Sequence, residues 1–338
     1  MFKKYKIAFI INAHAKKVND KLIEKLAQKI PINNLFYSKS IKESYYYLQY
    51  ILKKKYTHIV SGGGDGTFIN NLNIVRKIFI NRKYKYIPKM GVLKLGTGNA
   101  LASEIKTRNI FDDVAYLVDG KKLFLKKIFM VQCNNSIITP FAGLGYDADV
   151  LYDYIHFNKT FDRTPLDKIT SSLLGYILSV LFITLPKNFF NFRKSNIAKI
   201  VTKSEAYEII TNEEKREEAI LYESNEIIYE DKVFMILVGS IKFFGYGLQI
   251  FPCAGYHKKF LHLRVFTCTP LKFITNLRQI WSGTFRDPQI KEFLIKDVNI
   301  STSELLPYQI GGDFKGFYKN INFKITNFCI QFISTVSL

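Results

Sequence analysis

The sequence predicts an α/β domain with a parallel sheet in residues 1–130, followed by a β-sandwich domain in residues 131–338. Three observations carry this. Short apolar runs alternate with helical stretches through the first 130 residues, the pattern of βα units around a parallel sheet. Beyond about residue 123 the segments turn β-rich, with turn-like breaks and little helical periodicity, which indicates an antiparallel sandwich. Glycine-rich turns fall where strands end and helices begin, the crevice at which open α/β sheets bind ligands.

In chain order, Tyr5–Asn12 reads as a strand and Asp20–Lys29 as a helix ended by Pro31. Asn34–Tyr37 reads as a strand and Ile41–Lys54 as a helix with an aromatic face. Thr57–Ser61 runs as a strand straight into glycines, and Thr67–Ile80 is a helix. Lys89–Lys94 is a strand, again followed by glycines, and Ala100–Ile105 opens a helix. Later strands are expected at Leu123–Val131, Ser136–Phe141, Lys232–Ser240, Phe260–Cys268, Asp297–Ser301 and Phe323–Phe332. Two stretches interrupt them. Lys168–Leu185 is apolar and helical in pattern, and Glu205–Asp231, with ten Asp/Glu against two Lys/Arg, reads as a solvated excursion.

Composition narrows the function classes. A chain of 338 residues with 48% hydrophobic and 23% charged residues can bury a sizeable core, which excludes a disordered or fibrous protein. Cys133, Cys253, Cys268 and Cys329 lie far apart with no CxxC pair, so they suggest neither a zinc site nor a disulfide framework, but reduced thiols in a cytoplasm. The apolar run Ile7–Ile11 is too short for a signal peptide. The uncharged stretch Ile169–Pro186, broken by Thr170, Ser171, Ser172, Gly175 and Ser179, is marginal against a ~30 Å bilayer core. A soluble, cytoplasmic protein is expected.

The net charge of +21 is uneven: residues 1–130 hold 26 Lys/Arg against 8 Asp/Glu, and the rest hold 23 against 20. Such a bias favours an anionic partner, whether nucleic acid, an anionic membrane or a polyphosphate, and peripheral contact with an anionic membrane is expected. No RNA- or DNA-binding signature accompanies it, so nucleic acid is not expected. An AT-rich genome writing lysine onto solvated faces would produce the same bias. A homodimer is left open. None of the five histidines has metal-ligand spacing with another, and Trp281 is read as a core residue.

The residues that point to chemistry are glycines. In Ser61-Gly62-Gly63-Gly64-Asp65-Gly66-Thr67, placed between a strand and a helix, the missing Cβ atoms let backbone N–H groups approach a phosphate. The following helix adds the positive end of its dipole. Asp65 is out of place beside a phosphate unless it holds Mg²⁺ or accepts a proton. No GK[ST] follows, so this is not the P-loop. A second turn, Leu95-Gly96-Thr97-Gly98-Asn99-Ala100, ends the next strand about 30 residues on and forms a second polar wall. A tight turn with no ligand remains the bland alternative for either motif taken alone.

GGDGT followed by LGTGNA resembles the catalytic domain of the diacylglycerol kinase and sphingosine kinase superfamily of lipid kinases. Ile11-Asn12-Ala13-His14-Ala15 sits where that family has an Asn-Pro turn, and Ser38 where a Ser/Thr helps hold the nucleotide. Phe141-Ala142-Gly143-Leu144-Gly145-Tyr146-Asp147-Ala148 resembles the glycine-rich segment opening its second domain, and Gln309-Ile310-Gly311-Gly312-Asp313 lies where its final Asp-Gly-Glu motif is expected. The segment Gly239–Gly247 resembles one lining the second-domain cleft.

The resemblance implies a nucleotide-binding α/β domain, a β-sandwich lipid-substrate domain, and ATP- and Mg²⁺-dependent phosphorylation of a hydroxyl on diacylglycerol or a sphingoid-like lipid. Asn12, Ser38, Gly62, Gly63, Gly64, Asp65, Gly66, Thr67, Gly96, Thr97, Gly98 and Asn99 would then hold the nucleotide, and Asp65 the metal. The chain departs from the family at Ala13, Asn70 and Ala100, and above all at Gly311, which stands where a catalytic aspartate is expected. The base is then Asp313, re-aimed by its glycines, or Asp65. Two other outcomes stay open: a kinase of a soluble acceptor, as in NAD kinases, and a degenerate enzyme that binds nucleotide or membrane without turnover.

Overall fold

The computed structural model describes residues 5–82, 86–161, 183–184, 186–187, 196–211 and 216–337. By its contacts the chain divides into two units. The first comprises Met1–Met130, Phe243–Leu248 and Thr326–Leu338; the second comprises Val131–Lys242 and Gln249–Ile325. One cut falls between Met130 and Val131, and two short pieces of later chain return to the first unit.

The first unit is a parallel α/β sheet. Its elements are β1 (Ile7–Asn12), α1 (Asp20–Lys29), β2 (Leu35–Ser38), α2 (Ile41–Lys53), β3 (His58–Gly63), α3 (Asp65–Arg82), β4 (Lys89–Lys94), α4 (Ala100–Glu104) and α5 (Ile110–Val118). The strands run in the order β2-β1-β3-β4, all parallel, with Phe9 beside Leu35, Ile7 beside His58 and His58 beside Lys89. Phe332, near the end of the chain, adds a parallel edge next to Met90.

Every side chain from Ile7 to Ile11 is buried, as a strand covered on both faces requires. Ile7, Phe9 and Ile11 pack with Leu26 of α1 and Val114 and Leu117 of α5; Ala8 and Ile10 serve the opposite face. Each buried aliphatic or aromatic side chain contributes roughly 1.5–3 kcal/mol.

Local signals set the helix ends. The Ser40 Oγ accepts from the N–H of Glu43, and Glu43 Oε2 accepts from the N–H of Lys39, a reciprocal cap on α2 worth about 1 kcal/mol. Asn71, buried in α3, donates to Ser61 Oγ at 2.9 Å, pinning that helix to β3 beside the glycine turn.

The second unit is antiparallel. It holds the end of β5 (Phe124–Cys133), β6 (Ile137–Thr139), β7 (Phe141–Gly145), α6 (Tyr146–Phe161), β8 (Asn196–Thr202), β9 (Ala206–Thr211), β10 (Arg216–Tyr222), β11 (Ile227–Val233), β12 (Met235–Gly239), β13 (Leu261–Phe266), α7 (Pro270–Thr275), α8 (Leu277–Trp281), β14 (Ile290–Ile295), β15 (Asp297–Ile310) and most of β16 (Asp313–Ser334). The strands follow the order β10-β9-β14-β13-β12-β7-β15, and β8 and β11 extend from β15. One core joins Ala198, Ile200, Val298 and Ile300 to Ile236, Val238, Leu263 and Phe293.

Some expectations need correction here. The acidic segment is not an excursion: β9, β10 and β11 lie in it, and Ala206, Ile209 and Ile228 are buried. Trp281 is 37% exposed and its neighbour Ile280 fills the core instead. The apolar stretch at 168–185 lies outside the described residues except for 183 and 184. Among the described residues no helix is long and apolar enough to cross a membrane.

Candidate functional site

The carboxyl ends of β1, β3 and β4 carry the sequence motifs of the first unit. β3 ends in Gly62 and Gly63, and Asp65 opens α3. The Asp65 carboxylate accepts the N–H of Ala100 at 2.9 Å and of Leu101 at 3.1 Å. It thus caps α4 from across the turn. The residue at α4's own cap position, Asn99, is left-handed (φ 52) and makes no side-chain cap; its Nδ2 donates instead to the Gly96 carbonyl at 2.8 Å. Asp65 therefore ties one glycine turn to the other, a role the sequence did not suggest. Burial pushes its carboxyl up from the usual carboxylate range, and the N–H groups of Ala100, Leu101 and Asp65 itself oppose that.

The glycines are first of all packing positions. A Cβ on Gly96 would collide with the Gly64 backbone, and one on Gly62 would collide with Ile11 Cδ1. A Cβ on Gly63 would strike Thr67, and one on Gly98 would sit 3.2 Å from Asp65 Oδ2. The missing Cβ atoms are thus spent on bringing the two turns together, not only on opening backbone to a phosphate. Close approach leaves the first-turn N–H groups of α3, at Gly66 and Thr67, at the positive end of an 18-residue helix.

Asn12 joins this cluster: its Nδ2 donates to Thr67 Oγ1 at 2.9 Å, and its Oδ1 accepts the His14 N–H at 3.0 Å. Ser38 lies beside Asn12 in register, but its buried hydroxyl is spent on the Ser40 carbonyl and Ser44 Oγ. Thr97 lies between Gly96 and Gly98 in the second turn. Sequence reasoning missed the piece Phe243–Leu248 as a member of this unit. The Tyr246 N–H donates to the Gly98 carbonyl at 2.8 Å, and Gly245 Cα lies 3.7 Å from where a Gly98 Cβ would stand. The Gly245-Tyr246-Gly247 sequence was the available signal.

Asp313 belongs to the second unit. Gly311 and Gly312 form the two-residue turn of the β15–β16 hairpin, with Ile310 paired to Asp313 and φ of 60 and 86, the left-handed pair that a type I′ turn requires. The Asp313 side chain is 55% exposed and faces Lys315 Nζ at 3.4 Å.

Behind the turn lies a carboxylate that carried no assignment in the sequence. Gln309 Nε2 donates to Asp147 Oδ2 at 3.0 Å, and the Gly312 N–H donates to Gln309 Oε1 at 2.8 Å. Burial pushes the Asp147 carboxyl up to about 7.

Residues 6–124 match the family model described as the diacylglycerol kinase catalytic domain. The resemblance read from the glycine turns holds. Residues 6–124 are thus similar to a kinase-family catalytic domain, a class that uses ATP. In structure, the chain resembles a diacylglycerol kinase from Bacillus anthracis str. Sterne at a TM-score of 0.62 and 15% identity, covering 98% of this chain and 97% of that one. A second chain from the same organism aligns at a TM-score of 0.61 and 16% identity, covering 99% and 98%. These likenesses show a shared two-part fold. No curated protein matches the chain by sequence.

One buried cluster escaped the spacing search. Cys253, His262 and Glu292 bring ligand-type atoms within 4.8 Å of one another, because β13 and β14 pair in a register that sequence spacing does not reveal. Arg264 Nε lies 2.7 Å from Glu292 Oε1, so the carboxylate already has its cation.

Proposed function

We propose that the chain is an ATP-dependent kinase that transfers phosphate to a hydroxyl of a lipid, diacylglycerol or a sphingoid-like lipid, at an anionic membrane surface. The observation that carries this reading is the pair of glycine turns locked together by Asp65 at the carboxyl ends of β3 and β4, inside the matched catalytic domain. A nucleotide phosphate suits the helix N-terminus at Gly66 and Thr67.

Mg²⁺ fits the donor set. Each Asp65 oxygen accepts one N–H, which leaves lone pairs free, and Mg²⁺ is commonly held by one or two carboxylates together with substrate phosphates. When bound, it would neutralise charge on the transferred phosphoryl group. Asp65 would hold it, Asn12 would fix the Thr67 hydroxyl, and Asp313 would accept the proton of the lipid hydroxyl.

Membrane contact is supported by the charge of residues 1–130 and by the outer face of α2. Tyr46 and Tyr50 are exposed one turn apart, and Lys54 Nζ lies 5.8 Å from the Tyr50 ring. Tyrosines and lysines together suit the headgroup layer. The test is phosphate transfer by the full chain from ATP to vesicles holding diacylglycerol or sphingosine, with NAD and water as rival acceptors. Transfer to a lipid supports the reading. Transfer to NAD makes this a soluble-acceptor kinase, and ATP binding without transfer makes it a nucleotide-binding protein that has lost turnover.

A further inference from the structure

We propose that Asp147 and Gln309 are positioning residues for Asp313, acting as a side-chain relay that clamps the Gly311–Gly312 turn from behind. The proposal rests on Asp313 serving as the base in the reading above. Three contacts define the relay. Gln309 Nε2 donates to Asp147 Oδ2 at 3.0 Å, the Gly312 N–H donates to Gln309 Oε1 at 2.8 Å, and the Gly311 N–H donates to the Phe141 carbonyl at 2.9 Å.

Each member is placed by the backbone. Gln309 is fully buried and pairs across the sheet with Gly143. A Cβ on Gly143 would collide with Asp147 Oδ2, so glycine there is what lets the carboxyl lie over β7. Asp147 itself stands in the first turn of α6.

The relay works because a glutamine amide has two ends. Its carbonyl must face Gly312 for that N–H to be satisfied, and its NH₂ must then find an acceptor. Asp147 is that acceptor, so it dictates which way the amide points. If the amide turned over, its NH₂ would oppose the Gly312 N–H, and that donor would lose its side-chain partner. Two left-handed glycines leave the turn free to wander. The clamp removes that freedom at the residue immediately before Asp313. Burial, which raises the Asp147 carboxyl to about 7, marks the same position as a place where a carboxyl is kept at a cost. Asp313 needs such support because, among the described residues, its ion-pair contact is Lys315 at 3.4 Å on the surface.

The test uses the full chain labelled with ¹⁵N-glycine and reads two quantities: amide exchange at Gly312, and turnover with ATP and diacylglycerol vesicles set against the KM for ATP. Gln309→Leu is expected to raise Gly312 exchange about tenfold, the scale of one hydrogen bond, and to lower kcat with the KM for ATP unmoved. Gln309→Glu opposes two acceptors and should do the same. The paired exchange Asp147→Asn with Gln309→Glu restores a donor facing an acceptor, with the acceptor still toward Gly312, so it should recover both readouts relative to Gln309→Glu alone.

Unchanged Gly312 exchange in both single Gln309 variants overturns the relay. So does failure of the paired exchange to recover either quantity while the protein stays folded. Should Gln309→Leu not fold, Gln309→Glu and the pair still decide. If the wild-type chain transfers no phosphate to lipid, the lipid-kinase reading fails by itself, and Gly312 exchange alone then decides the relay.

Discussion

Asp65 and Asp313 are the two carboxylates singled out for chemistry, and their surroundings could hardly differ more. Asp65 opens an 18-residue helix, is pushed up by burial, and spends both oxygens on the N–H groups of α4. Asp313 follows two left-handed glycines on a hairpin tip, is 55% exposed, and has a surface lysine beside it. Such a surface ion pair contributes between nothing and about 1 kcal/mol. One carboxylate is built into the architecture and the other is hung on it. Substitution at the first should therefore disturb fold and chemistry together, and substitution at the second chemistry alone.

The largest expected effect tests the first half of that comparison. Asp65→Asn should lower turnover by at least ~10²-fold, the scale for losing a positioned acid–base or metal-organising group. It should also destabilise the first unit by about 1–3 kcal/mol, because an amide NH₂ would face a backbone N–H of α4. Turnover in the ATP–vesicle assay and a denaturant titration read the two separately. A variant as stable as wild type would show that the α4 cap contributes nothing.

Asp313→Ala comes next. Turnover should fall by about 10²-fold if Asp313 is the base, while stability stays within ~0.5 kcal/mol, as for most surface changes. ATP binding should be unchanged, since Asp313 lies outside the glycine turns. Full activity would leave Asp65 as the base.

The same contrast explains what was legible in the sequence. Glycine turns after strands announced the first unit, and the bounds of α1 and β4 follow from the cap at Asn19 and the apolar run at Met90–Leu93. The cap made by Asp65 was not legible, because its partners lie 35 residues away and nothing local marks them.

In the second unit the same letters carried two meanings. Gly311-Gly312 was read as a motif missing its aspartate, yet Gly-Gly between two strands is equally a hairpin turn, and the structure uses it as one. Strands β9 to β11 were hidden because charged residues crowd their outward faces and mask the alternation. Asp147 stood in a quoted motif, but only its partner Gln309, 162 residues away, gives it a function.

Two alanine substitutions sharpen the comparison at the level of the turns. Gly96→Ala drives a Cβ into the Gly64 backbone, and overpacking of that kind costs about 1–3 kcal/mol; the two turns should part and ATP affinity should drop with stability. Gly312→Ala meets nothing within 4 Å but has φ of +86, so it pays only the left-handed penalty of about 1–2 kcal/mol and should leave ATP affinity intact. Calorimetric titration with ATP separates them. Equal loss of ATP affinity in both would mean the Gly64–Gly96 contact is not what shapes the nucleotide turn.

The smallest effects are titrations, and here the two units have opposite signs at one residue each. His58 in the first unit is held down to about 4 from an ordinary 6.5, by burial and then by nearby Lys89. The Thr57 hydroxyl and the Tyr5 ring also face it. Its folded value lies below its unfolded one, so the stability it contributes is present above pH 6.5 and is lost as pH falls through about 4. Asp147 in the second unit is raised to about 7 from 3.8 by burial, facing the Gln309 amide and the Gly143 backbone. Its contribution is present below pH 3.8 and is lost as pH rises through about 7. Asp65 and Asp113, also raised by burial, act in the same sense as Asp147 within the first unit, so whole-protein curves would blur the signs. Difference curves isolate them. Unfolding free energy of wild type minus His58→Gln should rise between pH 4 and 6.5, and wild type minus Asp147→Asn should fall between pH 4 and 7. Slopes of the same sign would break the opposition between these two buried groups, and a flat curve for Asp147→Asn would mean its carboxyl titrates as freely folded as unfolded.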